Sequence, residues 1–362
     1  MSTRDRPGRR QALTVEIEAS PAYEFLMTLC TYNGVEHQAE FEVGKEWFDD
    51  IRKKASPDLL ALVEHFSFHS LDIWEHLLGL VYNSPAPRDV PTFISYVEAM
   101  DPLELRLHLL GYYVREHCRV TSPEIIFQAA QGDIEAQKKL IKTSFPDDSE
   151  WQRTLLWLLS LEPGATKNLF VKIFHGWYDE VFRDQEAYIM SILRRDVEAK
   201  QALKLTHSAE QLIEIATGWE YVPEPGIKRI VLVPSYINRP WNSDAELNDT
   251  VIFCYPVAEE SISADKNAPP ARLVKLAKAL ADERRLRILK KLATGSFTLQ
   301  ELADDQGVAK TTVHHHIIQL RSAGLVRMNL SDKRWSLRQY TVNNVGELLS
   351  TYLRDPSPGE LP

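Results

Sequence analysis

From Leu13 to Ala19 the chain alternates apolar Leu13, Val15 and Ile17 with polar Thr14, Glu16 and Glu18, the period of two of a half-buried strand. Beyond Ala19 the spacing changes to the three-to-four period of amphipathic helices and keeps it as far as Gly218. Four helix starts are marked by a capping residue followed by proline: Ser20-Pro21, Ser56-Pro57, Asp101-Pro102 and Ser122-Pro123. The cap oxygen serves an amide that has no partner in the first turn, and proline at the first position has no amide to lose. Further helices are predicted over 71–81, 133–142, 150–161, 165–178 and 184–217, together making a helical bundle.

After Gly218, the runs Ile227–Val233 and Thr250–Val257 are rich in β-branched and aromatic residues, and a polar loop, 234–249, separates them. With the first strand they can form a small sheet under the helices. Periodicity is lost over 258–270, which ends in Pro269-Pro270, so the interdomain linker is placed there. The reading is an α+β, mainly helical chain: a tail, 1–10; an N-terminal α+β sensing or assembly domain, 11–257; the linker; a C-terminal domain, 271–355; and a tail, 356–362.

The C-terminal domain is the most sharply punctuated. Leu273, Leu276, Ala277 and Leu280 share one helical face, and Asp282 can cap a helix from Glu283 to Ala293 with Leu286, Leu289 and Leu292 inward. Arg284, Arg285, Arg287, Lys290 and Lys291 cover the rest of that helix as a solvated face. Thr298 and Glu301 form a capping box, and Gly307 ends the short helix that follows. In the next helix Val313, Ile317 and Leu320 face the core, with Gly324 in the left-handed position after it. Two helices joined by a tight turn make a helix-turn-helix. Strands Leu325–Leu330 and Trp335–Val342 around Ser331–Arg334 add a basic wing, and 345–353 is again helical.

The wording Leu-Ala-Asp-Glu-Arg-Arg-Leu-Arg-Ile-Leu (280–289), Thr-Thr-Val-His-His-His (311–316) and Leu-Arg-Ser-Ala-Gly-Leu-Val (320–326) resembles the ArsR-type winged helix-turn-helix transcriptional regulators. The likeness covers about 85 residues, far more than one short motif. The remainder is similar to the layout of a subgroup with a long N-terminal domain, through the Ser-Pro helix start, Pro234-Ser235 and Tyr255-Pro256. The resemblance implies sequence-specific binding of double-stranded operator DNA, with repression as the expected output. It puts the recognition helix, 310–322, in the major groove and the wing, 331–334, on the backbone. Lys310, Thr311, Thr312, His314 and His315 would touch bases or phosphates, and Lys333 and Arg334 the backbone, while His316, near the core face, is structural. A homodimer through helices 271–281 and 345–353 is expected on a palindromic site.

Three consecutive histidines point about 100° apart on a helix and cannot converge on one ion, so no metal site and no cofactor are expected there. Cysteine-based metal sensing is not expected either, because 271–362 contains no cysteine. His65, His69, Asp72 and His76 would share a face of one continuous helix, but Ser70-Leu-Asp reads as a fresh start that breaks it. Cys30, Cys118 and Cys254 form no disulfide framework, and the N-terminus lacks the apolar core of a signal peptide, which suits a cytoplasmic protein without a membrane segment. No nucleophile elbow, phosphate loop or zinc-protease motif occurs, so no enzyme is expected. The competing class is an enzyme or ligand-binding protein whose winged helix is a regulatory or protein-interaction module. For a small-molecule effector or an interdomain contact, the best segment is the loop after the second strand, with Ser235, Tyr236, Arg239 and Trp241.

Charge changes the picture last. The formal net charge of −9 argues against nucleic acid taken as a whole. Residues 271–355, however, carry 15 Lys and Arg against 8 Asp and Glu, and 1–270 carry 27 against 42. An acidic domain is joined to a basic one.

Overall fold

A computed structural model describes residues 13–34, 38, 41–66, 71–114, 119–144, 149–262, 269, 271–329, 333–343 and 345–354. The chain opens with β1 (Thr14–Ile17) and α1 (Pro21–Asn33), then α2 (Gly44–Lys54), α3 (Pro57–Glu64), α4 (Leu71–Asn83), α5 (Val90–Ala99) and α6 (Pro102–Leu109). There follow α7 (Pro123–Ala130), α8 (Ile134–Ser144), α9 (Ser149–Ser160) and α10 (Pro163–Trp177). A π-helical turn, Tyr178–Phe182, leads α10 into α11 (Arg183–Leu203), and α12 (Ala209–Thr217) ends at Gly218 in the left-handed conformation. All four Ser-Pro or Asp-Pro starts open helices, and Ser56 and Asp101 accept hydrogen bonds from first-turn amides. The predicted helix 184–217 is two helices, because Ser208 and Gln211 form a capping box that starts α12 afresh.

The strands are β2 (Trp219–Glu220), β3 (Arg229–Ser235), β4 (Ser243–Leu247) and β5 (Thr250–Pro256). Strands β1, β3 and β5 are parallel neighbours, and β4 closes the far edge antiparallel to β5. Helices cover both faces of this sheet, which is why β3 and β5 read as unbroken apolar runs. Alternate residues go opposite ways: Val231, Val233, Ile252 and Cys254 meet the large core with α1 and α4, and Ile230, Leu232, Val251 and Phe253 pack with Leu212 and Ile213 of α12. The loop expected over 234–249 therefore contains a strand, β4, whose Ser243, Ala245 and Leu247 are buried in alternation.

The expected linker starts later than placed. Residues Glu259–Ile262 form a short helix, α13, held to α11 by Asp196, which accepts from the Ala258 amide at 2.8 Å and the Ser261 hydroxyl at 3.0 Å. Residues 258–262 thus belong to the N-terminal domain, while 263–268, Pro270 and both tails lie outside the described residues.

The C-terminal domain contains α14 (Ala271–Leu280), α15 (Glu283–Leu292), α16 (Leu299–Gln306), α17 (Lys310–Ser322), β6 (Val326–Asn329), β7 (Trp335–Leu337), α18 (Gln339–Asn343) and α19 (Val345–Arg354). It has its own core around Leu276, Ile288, Leu302, Val313, Ile317 and Trp335. Two expectations fail locally. Leu286 is not inward but 47% exposed, Ile288 taking its place, and the second wing strand stops at Leu337, after which α18 begins at Gln339. Among the described residues no helix is long and apolar enough to cross a membrane.

Candidate nucleic-acid interface

The helix pair α16–α17 is set by its punctuation. Thr298 Oγ1 accepts from the Glu301 amide at 3.3 Å and the Thr298 amide donates back to the Glu301 carboxylate at 2.7 Å. Gly307 takes φ +61°, which a Cβ would strain, and turns the chain into α17. Val313, Ile317 and Leu320 are fully buried on one stripe of α17, and this fixes which side faces out. Gly324, at φ +70°, then lets the Leu325 amide donate to Leu320 O at 2.9 Å. Asp282 accepts from the Arg285 amide at 2.9 Å and caps α15.

On the outward side Lys310, Thr311 and His315 are exposed and Thr312 is half-buried. His316 lies 3.9 Å from Asp282, and its partial burial lowers its pKa, in keeping with a structural position. At the wing the two basic residues separate. Lys333 is exposed at φ +54°, whereas Arg334 turns inward and donates to Ser296 O and to the Glu301 carboxylate, each at 2.9 Å. Arg334 therefore ties the base of the wing to the start of α16, a correction to its expected place beside Lys333. The Thr298 amide and the Arg334 guanidinium hold the Glu301 carboxyl below its ordinary range. Ser331 and Asp332, at the expected wing tip, lie outside the described residues.

One flank of α17 is covered. His314, Ile318 and Arg321, spaced i, i+4 and i+7, form a stripe beside the outward face. The His314 ring stacks on Trp241 with centroids 5.8 Å apart and planes 22° apart. Arg321 donates to Pro240 O at 2.8 Å and lies over the same indole at 5.9 Å. Burial holds the Arg321 guanidinium down to about 10. Ile318 is buried although it lies outside the hydrophobic cluster of its own domain.

The loop that carries Trp241 was expected to serve a ligand or an interdomain contact, and the structure shows the contact. Ser235 is fully buried and its Oγ accepts from the Asn238 amide at 3.2 Å. Tyr236 is half-buried, its ring edge-on to Tyr188 at 6.0 Å. Arg239 is buried in ion pairs with Glu42 and Glu259, and Lys275 of α14 joins Glu259 at 3.0 Å. Beneath the loop, Glu24 of α1 accepts from the Tyr236 and Ile237 amides, both at 2.9 Å. Complete burial pushes the Glu24 carboxyl up to about 7. No periodicity marks Glu24 as special, since it lies in a helix whose whole circumference is buried.

A second set of contacts continues the wing sheet into the N-terminal domain. Strand β2 pairs in parallel with β6, Trp219 opposite Met328 and Glu220 opposite Asn329, giving the order β2-β6-β7. Arg327 meets Glu214 at 3.0 Å and Glu220 at 3.4 Å, and Arg338 meets Glu214 at 3.3 Å.

The helices of the expected histidine set are separate. His65 follows α3 and stacks on Trp157 at 4.6 Å, and His76 in α4 bonds Leu109 O through Nδ1 at 3.1 Å. His69 and the Asp72 side chain lie outside the described residues.

Residues 282–328, which span α15 through β6, match the family model for bacterial regulatory proteins of the arsR family. The C-terminal domain is an ArsR-family helix-turn-helix domain. Neither a curated protein nor a solved structure matches the chain. The family match ends inside the wing, so β2 and the Trp241 loop, which press on the ArsR-family domain, belong to the part of this chain beyond it.

Proposed function

We propose that this chain is a non-catalytic transcriptional regulator that represses by binding operator DNA with the first turns of α17 in the major groove. The observation that carries the reading is the pairing of a buried stripe, Val313, Ile317 and Leu320, with exposed Lys310, Thr311 and His315 at the start of the second helix of an ArsR-family domain. Such a helix end is where base edges are read, and a lysine there reaches phosphate. Thr312 and His315 complete the contact set, with Lys333 as the wing's backbone contact, and His314 joins it once Trp241 is displaced. The N-terminal domain serves as the sensing or assembly module, with a small-molecule effector as its signal. Two copies pair through α14 and α19, a reading supported by the exposed apolar Leu349, Tyr352 and Leu353 on α19.

Titration of a labelled random-sequence duplex with the full chain at several salt concentrations tests the DNA reading. Phosphate contacts release counterions, so log affinity should fall linearly with log salt. Lys310→Ala should reduce that slope by about one while leaving the fold intact. Failure to bind duplex at low salt would contradict the reading.

A further inference from the structure

We propose that the N-terminal domain competes with DNA for the recognition helix, and that Trp241 is the wedge that does it. The inference rests on the DNA-binding reading above and assigns the closed arrangement to the DNA-free protein.

The argument starts from space. An α-helix with its side chains is roughly 10–12 Å across and the B-form major groove roughly 12 Å wide, so a docked helix fills the groove. Stripe His314, Ile318 and Arg321 lies beside the outward face, and an indole stacked on His314 adds a ring's thickness to that flank. Helix and indole do not fit the groove together. Chemistry points the same way: Arg321, a cation on a DNA-reading helix, is turned to Pro240 O and the Trp241 face and is desolvated there. The wedge is held in place from behind. Trp241 donates its amide to Asn238 O at 2.8 Å, the Asn238 side chain donates to Trp241 O at 3.3 Å, and Glu24 fixes the preceding amides.

Other interdomain contacts among the described residues lie on elements other than α17. Pairing of β2 with β6 and the Arg327, Arg338 and Lys275 ion pairs hold the edge of the wing sheet and α14. They keep the wedge at high local concentration, as a tether does. DNA therefore has to displace the Trp241 side of the contact, and affinity is reduced by the fraction of molecules that are closed.

The test compares the full chain with Trp241→Ala and Trp241→Phe on one random-sequence duplex at about 50 and about 200 mM salt. Trp241→Ala should bind about tenfold more tightly at both salts, whereas relief of repulsion between an acidic domain and DNA would fade as salt screens it. Trp241→Phe keeps a stacking ring and should fall between the two. Equal affinities for all three proteins, or a gain that disappears at the higher salt, would overturn the inference while leaving the DNA-binding reading intact. If none of the three binds duplex, the DNA-binding reading fails and the inference falls with it. A measurement on the unmodified chain guards against misfolding of the variants. Hydrogen exchange at the Trp241 amide should accelerate when duplex is added, and unchanged exchange with DNA bound would count against the wedge.

Discussion

The two flanks of α17 differ sharply. Lys310, Thr311 and His315 meet solvent, while His314 and Arg321, along the same thirteen-residue helix, are pressed against the other domain and Ile318 between them is buried. Both flanks are polar enough to pass for DNA-reading surface. The difference teaches that α17 of this ArsR-family domain belongs to two competing interfaces, one intramolecular and one proposed with DNA. The buried stripe of Val313, Ile317 and Leu320 sets where both flanks point.

The comparison can be broken most forcefully from beneath the Trp241 loop. Glu24 has a folded-state pKa of about 7, raised by burial from an unfolded value near 4.5. The folded chain thus binds more protons than the unfolded chain between these values. Stability from this group is complete below about pH 4.5 and is lost as pH rises to about 7, amounting to roughly 3 kcal/mol. Glu24→Gln, which keeps an acceptor for the Tyr236 and Ile237 amides, should remove that slope. Urea unfolding at pH 5 and pH 8 should show the wild type losing roughly 3 kcal/mol more than the variant across that interval. His108, held down to about 4 chiefly by burial, contributes the opposite slope from about 4 to 6.5 in both proteins and cancels in the difference.

On the open flank, Lys310→Ala with Thr311→Ala should weaken specific duplex binding by about 2 kcal/mol, some 30-fold, with an unchanged circular dichroism spectrum. Between the domains, Glu214→Ala leaves Arg327 and Arg338 without their shared acceptor and should loosen the β2–β6 edge by about 1–2 kcal/mol. Faster proteolysis between the domains would register the loosening, and unchanged cleavage would show that strand pairing suffices. The smallest effect separates the two wing cations. Lys333→Ala should lower the salt slope of DNA binding by about one, and Arg334→Ala by much less, because Arg334 is already engaged by Ser296 and Glu301.

Much of the fold was legible because it is written locally. The Ser-Pro and Asp-Pro starts, the Thr298–Glu301 box and the positive-φ glycines 307 and 324 each require particular residue types at one place, and each is where the pattern put it. Strand β4 was missed because two of its three buried positions, Ser243 and Ala245, are small residues among loop formers, which leaves Leu247 alone to carry the pattern. Strand β2, two residues long, carries no period at all. Leu286 misled because a leucine at core spacing still ends on the outside when Ile288 fills the core. At the candidate site, the helix-turn-helix and its outward residues were readable, and the covered flank was not. Trp241 and His314 are 73 positions apart, and Glu214 and Arg327 are 113 apart. Nothing in a helical period tells which distant residue will come to rest on it.

The central claim is that α17 reads a particular DNA sequence. The most direct test incubates the full chain with sheared genomic DNA, recovers and sequences the bound fragments, and repeats the selection with the Lys310→Ala, Thr311→Ala double variant. The account predicts enrichment of a discrete inverted-repeat sequence by the wild type and its loss in the double variant. No enriched sequence, or one that survives the double substitution, would contradict it.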